Sequence, residues 1–264
     1  MKQSILSTQG LILLVTTVFS LHAQASDVAK EKRWAEQIVD SIMTGDAQWL
    51  QADGHKFLSI YTPATTDKTI GGAIVIHGIG VHPNWADVVL PLRTRLPDRG
   101  WHTLSLQMPV LRNEADYKDY KPLFPEIAPR INAGIDFLKA KGITNIVIIG
   151  HSMGATMAAY YVANTERPEV KALVSIGATG LMFKDSKLDI VQSLKKIKTP
   201  ILDLSGSDDL PGVLKTKTLK ANTAKAAGNK HYQQIEIQGA NHFLVGKEDE
   251  TVKVVGDWIK KYGS

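Results

Sequence analysis

The chain of 264 residues contains no cysteine. That excludes disulfide stapling and a lipid anchor on a cysteine after a leader, so a packed core must hold the molecule together unaided. Long apolar runs are also missing. Leu11 to Leu21 spans eleven residues, against roughly 20 needed to cross a bilayer, and no other segment is apolar enough to span. Nor is there a large excess of one charge. The 31 Lys and Arg against 26 Asp and Glu leave +5, or +4 once Lys2 is set aside. So thin a balance argues against nucleic acid as a partner. The densest lysine stretch, Lys215 to Lys225, alternates with Ala, Thr and Leu and reads as the wet face of a helix. No Pro/Gly/Ser linker, internal repeat or low-complexity tract divides the chain.

What is present begins with Lys2, the run Leu11 to Leu21, and Ala23-Gln24-Ala25, the layout of a secretory signal cleaved after Ala25. Residues 26–264 are then expected to form one domain. Trp34, Ile38 and Ile42 recur at helical spacing, ending near Gly45. "AQWLQA" and "HKFLSIYTP" flank Asp53-Gly54 as an antiparallel hairpin. Six short strands follow: Gly72 to Gly78, His102 to Met108, Asn145 to Gly150, Ala172 to Ala178, Pro200 to Gly206 and Gln233 to Gly239. Helical patterns separate most of them: Val88, Val89, Leu92 and Leu96; Ile127, Ile131, Ile135 and Leu138 before Gly142; and Met153 to Asn164. Continuous apolar strands alternating with helices predict an α/β class and a mostly parallel, doubly wound sheet. Active groups in such sheets gather beyond the carboxyl ends of the strands.

One strand end reads Gly150-His151-Ser152-Met153-Gly154. A tight strand-to-helix turn leaves no room for side chains on either flank, and it presents the Ser152 hydroxyl at the positive end of a helix. A serine hydroxyl needs a base within reach and a group to orient that base. The loop after Pro200 to Gly206 carries Asp208 and Asp209; the loop after Gln233 to Gly239 carries His242. Asp209 is the preferred acid, with Asp208 in reserve. A tetrahedral intermediate also needs N–H donors. Met153, next to the serine, supplies one, and the loop His77-Gly78-Ile79-Gly80 supplies the other, from Ile79 or, as second choice, Gly80. His77 and His82 at i, i+5, without a Cys or Glu nearby, make a weak metal pattern, and no metal is expected.

"HGIG", "GHSMGA", "SGSDD" and "GANHF", in that order and at strand ends, resemble the α/β-hydrolase superfamily over nearly all of residues 26–264. The resemblance implies a sheet of about eight strands, a Ser152–His242–Asp209 triad and no cofactor. "HGIGVHPNW", "TLSLQMPVL", "LFPEIAPRI" and "LDLSGSDDLPGVL" further resemble a proteobacterial family of exported α/β-hydrolase-like proteins, which implies a periplasmic setting. The function expected is that of a serine hydrolase acting on a small-molecule or acyl ester. The alternatives are an amidase or acyltransferase with the same residues, or a non-catalytic periplasmic binding or assembly protein. Many superfamily members insert a cap where this chain has Thr179 to Thr199, with room for little more than one helix. A second candidate cover is Arg112 to Pro129, whose Tyr117, Tyr120 and Phe124 either line a substrate pocket or pack the excursion onto the body.

Overall fold

The computed structural model describes residues 25–180 and 187–263. Apart from Ala25, the expected secretory signal lies outside the described residues, as do residues 181–186 of the short Thr179 to Thr199 connection. An amphipathic helix, α1 (Val28–Val39), is N-capped by Asp27, whose carboxylate accepts from the Lys30 N–H. It ends three residues short of Ile42, the last position of the apolar spacing. Strands β1 (Asp46–Ala52) and β2 (His55–Thr62) then pair antiparallel about Asp53-Gly54. Both turn residues have positive φ, 47° and 77°, as the favoured two-residue hairpin turn demands.

Thereafter strands and helices alternate: β3 (Gly71–Ile76), α2 (Val89–Arg95), β4 (Trp101–Leu106), α3 (Phe124–Ala140), β5 (Ile146–His151), α4 (Met153–Asn164) and β6 (Val170–Ile176). The chain continues through α5 (Ile190–Leu194), β7 (Ile201–Asp208), α6 (Pro211–Leu214), α7 (Lys217–Ala226), β8 (Tyr232–Asn241) and α8 (Glu248–Tyr262). The eight strands form one sheet in the order β1-β2-β4-β3-β5-β6-β7-β8. β2 meets β4 antiparallel, and every pairing from β4 to β8 is parallel. The expected doubly wound sheet with an antiparallel hairpin at one edge is therefore present.

Its parallel strands are apolar on both faces because both faces are covered. Along β3 and β5, Ile74, Ile146 and Ile148 pack with Leu104, Ile131, Ile135 and Met157 on one side. The alternate residues Ala73, Val147 and Ile149 pack with Leu92, Val255 and Ile259 on the other. The second side depends on α8, a helix whose Thr251, Val252, Val255, Gly256, Trp258 and Ile259 are buried and which the strand-centred reading of the sequence did not include. A smaller cluster of Ala35, Ile38, Leu58 and Ile60 fastens α1 to the hairpin. Among the described residues, no helix is long and apolar enough to cross a membrane.

One reading of the sequence needs correction. Lys220, within the lysine stretch assigned to a wet helix face, is 1% exposed and donates to Asp203 Oδ1 at 2.9 Å and to the Ala178 carbonyl at 3.1 Å. Asp203 also accepts from Tyr232 and Gln234, so a buried charge is satisfied rather than solvated. Between β6 and β7 the described cover is the five-residue α5. The Arg112 to Pro129 excursion is a 3-10 segment (Tyr117–Leu123) leading directly into α3. Tyr120 and Phe124 are buried in the core, so for these two packing prevails over pocket lining.

Candidate active site

Order in the sheet determines where the site forms. The chain steps from β3 to β4 on one side and then returns to β5 on the other. This reversal leaves a crevice at the carboxyl ends of β3 and β5, the place where open α/β sheets bind ligands. Ser152 follows β5 directly and adopts φ 55°, ψ −120°, a backbone region costly for a residue with a Cβ. The surroundings hold it there. The Ser152 N–H donates to the Ile176 carbonyl at 2.8 Å. A Cβ on Gly150 would come within 2.5 Å of the Gly154 carbonyl oxygen, and one on Gly154 would overlap the His77 carbonyl. Both glycines are thus required by the closeness of β5, α4 and the β3 loop.

The other two side chains arrive from the ends of β7 and β8. Asp209 lies one residue past β7, and Asn241 closes β8 with its side-chain oxygen accepting from the Phe243 N–H at 3.0 Å and the Val245 N–H at 3.3 Å. That turn directs His242 inward. The imidazole bridges the two partners, with Nε2 at 3.0 Å from Ser152 Oγ and Nδ1 at 2.6 Å from Asp209 Oδ1. Asp208 is exposed, its Oδ1 accepting from the Ser207 hydroxyl. Of the two candidate acids, Asp209 is the one at the imidazole.

Burial pushes the Asp209 carboxyl up. The hydrogen bond from His242, the charge of that ring and the N–H groups of Leu210 and Gly206 outweigh burial and hold it below the usual carboxylate range. Asp209 is therefore an anion at neutral pH, which fixes a proton on His242 Nδ1 and leaves Nε2 to accept from the serine hydroxyl. Asp209 and His242 are buried while Ser152 is partly exposed, so the hydroxyl is the member solvent and ligands can reach.

The flanking backbone donors are also close. Gly78 packs on Ser152, so that a Cβ there would sit 3.2 Å from the serine Cβ. Among the described residues, neither the Ile79 N–H nor the Met153 N–H has an acceptor. The Gly80 N–H, the second-choice donor, is taken: it donates to the Tyr120 hydroxyl at 3.2 Å. His77 stiffens this loop, with Nδ1 donating to the Gly78 carbonyl at 2.8 Å and Nε2 accepting from the Met108 N–H at 2.9 Å. Burial depresses its pKa to about 3, as this neutral tautomer requires. His82 sits edge-on between Trp34 and Trp85. Among the described residues, no group of three or more His, Asp or Glu side chains is placed to hold a metal ion.

His151 belongs to no sequence constellation. It is buried within the serine turn, and its Nε2 donates to the His242 carbonyl at 2.9 Å while the two rings lie 5.0 Å apart. Burial, followed by the nearby charge of His242, lowers its pKa to about 4. A neutral His151 thus clamps the backbone of the histidine loop to the serine turn. The carbonyl it holds is 91 positions away, and no local pattern announces such a pairing.

Similarity to known proteins bears on the fold. No curated protein matches the chain in sequence. Among solved structures, Est1E from Butyrivibrio proteoclasticus is similar at 18% identity and TM-score 0.63, over 83% of this chain and 98% of its own. A putative dienelactone hydrolase from Klebsiella pneumoniae is similar at 16% and 0.68, over 83% and 98%. The esterase Pf2001 from Pyrococcus furiosus is similar at 16% and 0.65, over 83% and 93%. At such identities the likeness speaks for the fold, which is that of the α/β-hydrolases. A family model of proteins of unknown function, DUF3530, matches residues 16–126 and 112–261, and the chain therefore belongs to the DUF3530 family.

Proposed function

We propose that this protein is a serine hydrolase of esterase type that works through an acyl-enzyme on Ser152. The observation that carries the proposal is the unbroken hydrogen-bonded array Ser152–His242–Asp209 beside the unclaimed N–H groups of Ile79 and Met153. His242 Nε2 takes the hydroxyl proton as Ser152 Oγ attacks an ester carbonyl. The Ile79 and Met153 N–H groups hold the oxyanion, and His242 then hands the proton to the departing alcohol. Water, deprotonated by the same ring, releases the acid and restores the hydroxyl. Asp209 steadies the imidazolium in both halves.

A carboxylic ester is the favoured substrate because it needs less help with its leaving group than an amide. Leu210, Phe243 and Val245, exposed at 50%, 44% and 55%, stand beside Asp209 and His242 in sequence and give the rim apolar surface for an acyl or aryl group. Est1E, a protein of similar fold, has been seen with ferulic acid bound, which fits an aryl ester as one candidate. We place the enzyme in the periplasm as a single domain, residues 26–264, after removal of a secretory signal at Ala25.

The test is covalent. A fluorophosphonate probe is expected to label the folded protein at Ser152, with the adduct located by peptide mass. Folded protein that takes no label, or takes it elsewhere, would favour the binding-protein alternative. His151→Ala should keep the labelled residue but lower kcat on a p-nitrophenyl ester by about 10- to 100-fold with KM little changed, since a loosened imidazole misplaces the proton transfer and not the substrate. A KM effect without a kcat effect would remove His151 from a positioning role.

A further inference from the structure

The start of the described chain rests in a seat made of carboxylate. The Ser26 N–H donates to Glu126 Oε1 at 3.1 Å, and its hydroxyl donates to Oε2 at 2.7 Å. The next N–H, that of Asp27, donates to the Val110 carbonyl at 2.8 Å. Residues 26–27 are thus bound to α3 and to the segment after β4 before α1 begins. The Ala25 N–H also reaches Glu126 Oε1, at 2.9 Å.

Glu126 belongs to a larger cluster. One turn further along α3, Arg130 forks onto Glu31 of α1 at 2.8 and 3.0 Å. It also donates to Glu126 Oε2 at 3.2 Å, to the Gln107 carbonyl at 3.0 Å and to Ser26 Oγ at 3.4 Å. The Arg130, Glu31 and Glu126 side chains are 2%, 3% and 12% exposed. His55 of β2 meets Glu31 Oε2 at 3.1 Å. Two shielded carboxylates therefore share one guanidinium, and whenever His55 is neutral the cluster carries one more negative than positive charge. Low-dielectric surroundings make such an imbalance costly. The amide N–H groups now facing Glu126 carry only partial charge.

We propose that cleavage of the Ala25–Ser26 bond converts this seat into an ion pair that completes the cluster. Water adds across the peptide bond, Ala25 departs with the carboxylate, and Ser26 keeps a protonated α-amine. The two amide donors facing Glu126, those of Ala25 and Ser26, are exchanged for three N–H donors bearing a full positive charge, and the surplus negative charge is cancelled. The mature amino terminus is then a structural element that strengthens, after processing, the attachment of α1 to α3 already made by Arg130 and Glu31. The inference rests on the proposed processing at Ala25 and is independent of the hydrolase reading.

The full chain, expressed with its leader and recovered after export, is expected to begin at Ser26 by N-terminal sequencing and intact mass. Its α-amine can be acetylated selectively at mildly acidic pH, since α-amines have ordinary pKa values near ~8 and lysines near ~10.4. Acetylation should lower the Tm by about 2–6 °C. The same treatment of Glu126→Gln should change its Tm by less than about 1 °C, whereas Ser26→Ala, which deletes only the hydroxyl contact, should retain the full effect. A mature chain beginning elsewhere would overturn the cleavage assignment. Acetylation that leaves the wild-type Tm unchanged would overturn the ion pair, as would an equal shift in wild type and Glu126→Gln. Should Glu126→Gln fail to fold, the wild-type and Ser26→Ala comparison decides by itself.

Discussion

Ser152→Ala is expected to lower ester turnover by about 10⁴- to 10⁶-fold while leaving the fold intact. The size follows from the array. Without the hydroxyl, the acyl-enzyme has no oxygen to form on, and what survives is the small assistance that positioned N–H donors give to attack by water. The fold should survive because alanine keeps the Cβ and the backbone of residue 152 is held by the Ile176 carbonyl and by its neighbours. Steady-state kinetics on a short-chain p-nitrophenyl ester, together with urea unfolding of both proteins, measure the two halves of the statement. Turnover within tenfold of wild type would take Ser152 out of the mechanism. Lost turnover with a lowered urea midpoint would mean that the variant reports on folding.

The second large effect concerns stability. Arg130→Met keeps length and apolar bulk but leaves Glu31, 3% exposed, and Glu126, 12% exposed, without their guanidinium. Removing one partner of a buried ion pair costs about 3–5 kcal/mol, because the remaining charge stays desolvated. For a domain of this size that lowers the Tm by roughly 10 °C. Adding Glu31→Leu should recover a good part of the loss, since the uncompensated charge goes with it. Thermal and urea melts of the single and double variants check this. A double variant no better than Arg130→Met would show that the cost arises from lost packing around the arginine stem.

The parallel body was legible because its code is local. Runs such as Ile146 to Gly150 are apolar at every position, which only a strand covered on both faces tolerates. Gly142, with φ 79°, closes α3 where a glycine stop was expected. The helix missing from that reading, α8, has a plain amphipathic spacing but lies after the last strand, where attention to strand ends does not reach. The two aspartates were harder. The strand-ending glycine, Gly206, suggested a loop from residue 207, yet β7 continues to Asp208 past an irregularity in its pairing with β8. That continuation turns Asp208 to solvent and Asp209 to the imidazole.

By itself the sequence determined the α/β class, the hairpin at Asp53-Gly54, and the presence of a serine, an acid and a histidine after three of the later strands, β5, β7 and β8. All of these follow from periodicity and turn chemistry within a few neighbouring residues. Only the tertiary structure decided which carboxylate meets His242, that Ile79 rather than Gly80 keeps a free N–H, that His151 clamps the histidine loop, and that Lys220 is buried on Asp203. Each of these depends on groups 17 to 91 positions apart in the chain, brought within about 3 Å by the order of strands in the sheet. Hydrogen bonds act over that distance and carry no trace in local composition.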